Sequence, residues 1–412
     1  MRKQLLASLA LALAFTVPAA ADTNLVFAFW GDPPEVPPFQ KIVDDYQAAH
    51  PDVHIEMQNA PWSGYFTRLD AQLAAGAGPD VFFITNVPSY AARGQLEALD
   101  PWIEKTKFPI DQYNQNGLVV HSLKGTLYSI PRDNDTSVLY YNKDAFDQAG
   151  LSYPDGKWTW DDLRNAADKL TTTDGGRVTR YGLALESNVW SIFVYQNGGK
   201  IFDDPVSPTK FLMADKPAVE AIQFLGDLIN KDKAVPNFLE SGQAGGTGQM
   251  FASGQAAMII SNAARLGAAD GASFQWAVAP LPAGPTGIHA NRLGGAGFAI
   301  NANSKVKDAA WDFMQYLAGP EGQITFTSAA SAAVPAMTGN PDVRAAFKAP
   351  YADIFLSESE NGQVDPQFPT YVNITNLYLQ PALDLVWNGE STAADALGGI
   401  KDKVDADLAK AQ

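Results

Sequence analysis

At 412 residues the chain is too long for one ordinary core, so two domains are the expectation. Hydrophobic residues at 46% and charged residues at 18% describe a foldable globular protein and exclude intrinsic disorder. A formal net charge of −16 disfavours nucleic acid and anionic membrane as partners, and the absence of cysteine excludes disulfides, cysteine-bound metal and a thiol nucleophile.

Met1-Arg2-Lys3, the apolar run Leu5–Val17 and the small residues Ala19-Ala20-Ala21 have the layout of a secretory signal peptide over residues 1–21, which predicts Asp22 as the first mature residue. The apolar run is too short to span a bilayer, and no other stretch reaches the ~18 uninterrupted apolar residues a membrane helix needs. Without a cysteine there is no acceptor for a lipid anchor, so a soluble periplasmic protein with no direct membrane insertion is expected.

Leu25–Trp30 reads as a buried strand that ends at Gly31-Asp32. Phe39, Ile42, Val43 and Tyr46 follow at helical spacing, and Val53, Ile55 and Met57 alternate as a second strand. A helix from about Ser63 to Ala75 and a third strand, Pro79–Ile84, complete a β-α-β-α-β order, which predicts a parallel sheet with helices on both faces. In such sheets ligands sit at the carboxyl ends of the strands, which nominates Trp30 and Asp32 after the first strand and Asn86 after the third. Glu35 and Tyr65 join them as candidates, whereas Asp80, opening a strand after Gly-Pro, is read as structural.

In the stretch Leu127–Phe146, two strand-like runs flank the bend Pro131-Arg132-Asp133-Asn134-Asp135, with one α/β series before it and a second after it. Tyr128-x-Ile130-Pro131, then Leu139-Tyr140-Tyr141-Asn142-Lys143-Asp144-x-Phe146 and Ala149-Gly150, resemble the first hinge crossing of the extracellular solute-binding proteins of family 1. These are the maltose-binding-protein-like periplasmic sugar receptors of ABC importers. Ala74-Ala75-Gly76-x-x-Pro79-Asp80-Val81 and Phe251-Ala252-x-Gly254-Gln255-Ala256-Ala257-Met258 match the same family. The resemblance implies an α/β periplasmic binding protein fold of two lobes around a ligand cleft. It assigns 22–132 and 280–328 to the first lobe and 136–278 and 334–412 to the second, with hinge segments 131–136, 278–282 and 327–335.

Farther along, Thr159-Trp160-Asp161-Asp162 is a capping box opening a helix to Leu170, and Tyr181–Leu185 is a strand followed by Glu186 and Trp190. The resemblance makes Trp190 an aromatic platform and carries Asn262, after the strand into Ser261, over as a cleft residue. Gly242–Gly248 lacks the Gly-Lys-Ser/Thr ending of a phosphate loop, and Arg292–Ile300 has the wrong glycine spacing for a dinucleotide fingerprint. Its glycines, Gly294 and Gly295, instead suit close approach of a ligand to backbone. Tyr371 and a closing helix Thr392–Leu408 belong to the second lobe.

Catalytic equipment is sparse. The histidines His50, His54, His121 and His289 have no zinc-ligand spacing, and no Gly-x-Ser-x-Gly elbow occurs. Carboxylates remain, so the enzymatic rival is a glycosidase or lyase using Asp133 and Asp135, which stand in one bend rather than across a scissile bond. Binding demands other groups: indole faces for sugar C–H surfaces, and carboxylates, amides and guanidinium for hydroxyls. Trp30, Trp190, Asp32, Asp135, Asn86, Asn262 and Arg292 are of those kinds. The expectation is a monomeric receptor, not an enzyme, that needs no cofactor or metal and delivers a small sugar ligand to the membrane permease of an ABC importer. A non-sugar solute such as glycerol phosphate or a polyamine is the other alternative.

Overall fold

The computed structural model describes residues 22–31, 33–330 and 333–410, so the segment read as a signal peptide, and Asp32, lie outside the described residues. Thr23–Trp30 (β1) buries Leu25, Phe27 and Phe29 completely. Helix Val36–Ala49 (α1) buries the predicted stripe Phe39, Ile42, Val43 and Tyr46, and Val53–Ala60 (β2) pairs parallel along the whole of β1. Helix Trp62–Ala74 (α2) buries Tyr65, Leu69 and Leu73 and leads to Val81–Ile84 (β3), parallel to the other side of β1. Asp80 accepts hydrogen bonds from the Val26 amide at 2.9 Å and Ser304 Oγ at 2.6 Å, a stitch between chain segments. Val87–Ala92 (α3) follows immediately.

Ser129–Pro131 (β4) ends the first series, and Ser137–Asn142 (β5) opens the second. All six residues of β5 are buried because both faces are covered. Leu139 and Tyr141 enter one apolar cluster, and Val138 and Tyr140 enter another on the opposite face. Trp160–Leu170 (α4) carries the capping box, with the Thr159 hydroxyl and Asp162 carboxylate each bonding the other's backbone. Ala184–Leu185 (β6), helix Trp190–Gln196 (α5), helix Lys216–Asn230 (α6), Met258–Asn262 (β7) and Trp276–Ala279 (β8) complete the second lobe's framework, and Gly297–Ile300 (β9) returns to the first.

Two sheets result, with strand orders β2-β1-β3-β9-β4 and β6-β7-β5-β8. The first three strands are parallel as the β-α-β-α-β reading requires, while β9 adds antiparallel to both β3 and β4. Each sheet has its own core: Phe27, Phe83, Phe298 and Phe313 in one, Phe193, Leu225, Met258 and Trp387 in the other. The architecture is therefore α/β with two lobes.

Among the described residues the chain connects the two sheets through three segments, the last of which crosses more than once, and two of the segments depart from their expected positions. The first runs from Pro131 to Ser137. The second was expected at 278–282, but Leu281 and Ala290 remain in the second lobe's core, and the first sheet is rejoined only at Gly297. Pro280-Leu281-Pro282 stops the strand without leaving the lobe, because Leu281 is buried and its amide donates to the Glu358 carboxylate at 3.3 Å. The third was expected at 327–335. Val334 does pack in the second lobe, but Ala336, Met337 and Val343 return to the first lobe's core before Phe347 joins the second. Asn340 caps a short helix Pro341–Ala346 that holds this excursion on the first lobe. The passages lie side by side: Asp133–Asn134 pairs antiparallel with Val334–Pro335, and Asp135 bridges to Gly294 on the other flank.

Candidate ligand cleft

Where the passages meet, the lobes enclose a cleft of about 660 Å³, within the usual size range of small-molecule sites. Its first-lobe wall is aromatic. The Trp30 ring, at the carboxyl end of β1, lies 5.0 Å from Trp62, 5.1 Å from Phe83 and 5.4 Å from Phe66. Trp62, the first residue of α2, is 57% exposed, so an indole faces the cleft with open surface. The Arg132 guanidinium stacks 5.5 Å from the Trp30 ring and 4.8 Å from Phe83, and its Nε donates to Asp133 at 2.8 Å.

The floor is polar and belongs to the passages. Arg292 donates to Asp135 and to Asp365, each at 2.8 Å, and Asn262 Nδ2 donates to Asp135 at 2.6 Å. Burial by itself would raise the Asp135 carboxyl, but the Arg292 charge and these hydrogen bonds hold it below its ordinary value. Burial likewise opposes the Arg292 charge, yet Asp365 and Asp135 push that group above its usual range. Asp135 and Arg292 thus stabilise each other's charged forms. Each Asp135 oxygen bonds one protein donor and keeps acceptor capacity for another. The other cleft arginine, Arg265, pairs with Glu186 at 3.1 Å. Each arginine on the described cleft wall is therefore already matched by a carboxylate.

Gly295 has φ +143, and a Cβ there would stand 2.3 Å from the Asp133 carbonyl oxygen. Its glycine character serves the close approach of two passages, whereas the sequence reading assigned it to approach by a ligand. Asp133 is also occupied locally, since its Oδ1 accepts from the Ala296 amide at 2.9 Å.

Of the residues nominated from sequence, Trp30, Glu35, Asp133, Asp135, Asn262, Arg292, Gly294 and Gly295 line this cleft. Five described ones do not. Tyr65 is buried in the first core with its hydroxyl donating to the Phe83 carbonyl at 2.9 Å, because α2 turns its apolar stripe inward there. Trp190 is 8% exposed and packs in the second core, since every residue of α5 is buried; from that loop Asn188 reaches the cleft instead. Glu186 lies behind the wall, accepting from Thr247, Ser261 and Arg265. Tyr371 packs on Phe368 and Phe202. Asn86 lines a neighbouring chamber. Residues the reading missed include Trp62, Asp365 and Gln367. Trp62 was reachable, because the rule applied to β1 and β3 applies equally to the end of β2.

The chain matches the family model for bacterial extracellular solute-binding proteins over residues 30–324. It is 25% identical over 394 residues to the maltotriose-binding protein of Pyrococcus abyssi, covering 91% of this chain and 77% of that one. It is 27% identical over 302 residues to the erythritol/L-threitol-binding protein of Mycolicibacterium smegmatis, covering 65% and 61%. Among solved structures it is similar to an ABC substrate-binding protein from Listeria monocytogenes in complex with cycloalternan, with a TM-score of 0.82, 24% identity and coverage of 95% of this chain and 99% of that one. That likeness establishes the periplasmic binding protein fold. The family match covers the second sheet, the four strands of the first other than β1 and the first two passages between them, and the chain belongs to the bacterial extracellular solute-binding protein family.

Proposed function

We propose that this protein is a periplasmic receptor that captures a neutral sugar or oligosaccharide between its two lobes and delivers it to the membrane permease of an ABC importer. The observation that carries this reading is the composition of the cleft: an exposed indole at Trp62 beside Trp30 faces a polar floor of Asp135, Asn262 and Arg292. Apolar C–H faces of a sugar suit the first, and its hydroxyls suit the second. Charge-assisted hydrogen bonds from hydroxyls to a desolvated carboxylate contribute roughly 1.5–3 kcal/mol each, so two or three with aromatic packing reach micromolar affinity, about −8 kcal/mol.

The charge pattern favours this over the alternatives. A phosphate ligand would have to displace carboxylates already bonded to Arg132, Arg265 and Arg292, and a polyamine would have to compete with those guanidinium groups for the same carboxylates. Members of the family are binding proteins, and the two acids of the hydrolase alternative are engaged in holding the passages together. In the proposed cycle the open cleft takes up sugar and the ribbon of passages bends, so that the lobes close before docking on the permease. Secretion by the signal peptide and a monomeric state belong to the same reading.

Titration calorimetry of the mature protein with a panel of neutral sugars tests it: saturable heat with no product is expected, whereas turnover of a glycoside would favour the hydrolase. Replacing Trp62 by Ala is expected to weaken binding at least about tenfold, or about 1.4 kcal/mol, with an unchanged melting temperature because the ring is largely exposed.

A further inference from the structure

The cleft does not end at its main chamber. A second chamber of about 380 Å³ adjoins it, and Thr85, at the carboxyl end of β3, lines both. The two walls continue from one chamber into the other. On the first lobe the aromatic strip runs from Trp30 and Trp62 to Phe66, whose ring is 5.1 Å from Trp62 and faces the second chamber. On the second lobe the segment that supplies Asp365 and Gln367 to the main chamber supplies Pro369, Val372 and Asn373 to the next. The second chamber is thus walled by both lobes, as the first is, and anything filling both is gripped along the seam.

The chemistry of the second chamber is of the same kind. Arg93 pairs with Asp70 at 3.6 Å and lies 4.4 Å over the Tyr90 ring, so its charge is matched as the main chamber's are. Asn86 stands between α3 and the chamber with a left-handed backbone, φ 50, and its Oδ1 is buried with no hydrogen-bond partner. Both the left-handed backbone and the unbonded carbonyl are unfavourable in the absence of a partner. The terminal amide torsion is soft, so rotation can turn that oxygen toward a hydroxyl in the chamber.

We propose that the ligand extends through both chambers, so that the receptor is built for a neutral chain of at least two sugar units rather than for a monosaccharide or a small polyol. The inference rests on the sugar-receptor reading and adds the length of the ligand. Relatives do not supply that length, since the names of the two quoted above range from a four-carbon polyol to a trisaccharide.

The test is calorimetry of the wild-type mature protein with the mono-, di- and trisaccharides of the gluco, manno, galacto and xylo series, repeated on Asn373→Trp. Asn373 is exposed on the second chamber's outer wall, so the indole fills the chamber without disturbing a core, and an unchanged melting temperature verifies this. In the series that binds, the disaccharide or trisaccharide is expected to bind at least about tenfold tighter than the monosaccharide, about 1.4 kcal/mol. Asn373→Trp is expected to erase that gain while leaving the monosaccharide unchanged. Equal affinity of monosaccharide and longer members in the wild type, or a gain that survives the substitution, overturns the inference and leaves the receptor reading standing. Absence of binding throughout the panel removes the receptor reading itself.

Discussion

Arg292 joins three parts of the chain: it sits on the second passage, bonds Asp135 on the first and bonds Asp365 on the second lobe, all with little exposure. A buried ion pair contributes less to stability than its Coulomb term suggests, because both charges are first stripped of water. Removing one partner is another matter, since it leaves the others charged and unpaired. Replacing Arg292 by Met leaves Asp135 and Asp365 facing each other without a cation, and is expected to cost about 3–5 kcal/mol, read as a lowered urea midpoint with an unchanged slope. Part of the loss is expected to return at acid pH, because without Arg292 burial makes the Asp135 carboxylate easier to protonate. The opposite outcome, a variant as stable as the parent at neutral pH, would mean that water or a rearranged neighbour serves the two acids.

At the scale of elements, the passages behave as one ribbon rather than as separate hinges, because Asp133–Asn134 pairs with Val334–Pro335 and Asp135 with Gly294. The closest approach in it is Gly295 against the Asp133 carbonyl. Gly295→Ala is expected to destabilise the fold by roughly 2–3 kcal/mol, since the added carbon both clashes and disfavours the positive φ. Gly267→Ala, in a short exposed helical segment with nothing within 4 Å of the new carbon, is the matched control and is expected to gain about 0.4–1 kcal/mol. Urea unfolding of the two variants side by side separates backbone strain from a general effect of removing glycine. The ribbon also marks the boundary of what the sequence discloses. Strands β1, β2 and β3, helix α1 and the Thr159 capping box were legible because periodicity and capping are local signals. The ends of the second and third passages were not. Pro280-Leu281-Pro282 reads as an exit from the lobe, and only the three-dimensional packing of Leu281 keeps it inside. The same limit applied to the Glu186–Trp190 loop: the loop was the right one, but a shift of two residues decides whether an amide or an indole faces the cleft, and α5 is buried all round, so its pattern gives no clear direction. Asp365 and Gln367 stand outside regular elements, where no periodicity points to them.

The whole molecule carries two buried titratable groups that pull its stability in opposite directions with pH. In the first lobe His121 is 4% exposed with Nδ1 2.6 Å from Ser129 Oγ, and burial lowers it from 6.5 to about 4. Below pH 6.5 the unfolded chain binds a proton that the native state refuses, so this group's contribution is lost as pH falls toward 4, by roughly 3 kcal/mol in full. In the second lobe Glu358 is 2% exposed, and burial raises it from 4.5 to about 7 against the hydrogen bonds from Asn291 and the Leu281 amide; His289 approaches it at 3.5 Å. Here the native state binds the extra proton, so stability is present below pH 4.5 and is lost as pH rises through about 7, again by roughly 3 kcal/mol. Between about pH 4.5 and 6.5 the two slopes oppose each other and largely cancel in the parent. Each single variant is expected to uncover the other slope. Glu358→Gln, which keeps an amide able to meet Asn291, should be more stable than the parent above pH 7 and equal to it near pH 4.5. His121→Gln should lose the acid penalty and so gain on the parent as pH falls from 6.5 toward 4. Urea unfolding of parent and both variants across this range checks the account, and a difference between Glu358→Gln and parent that does not change from pH 4.5 to 8 would sink the assignment of that slope to Glu358.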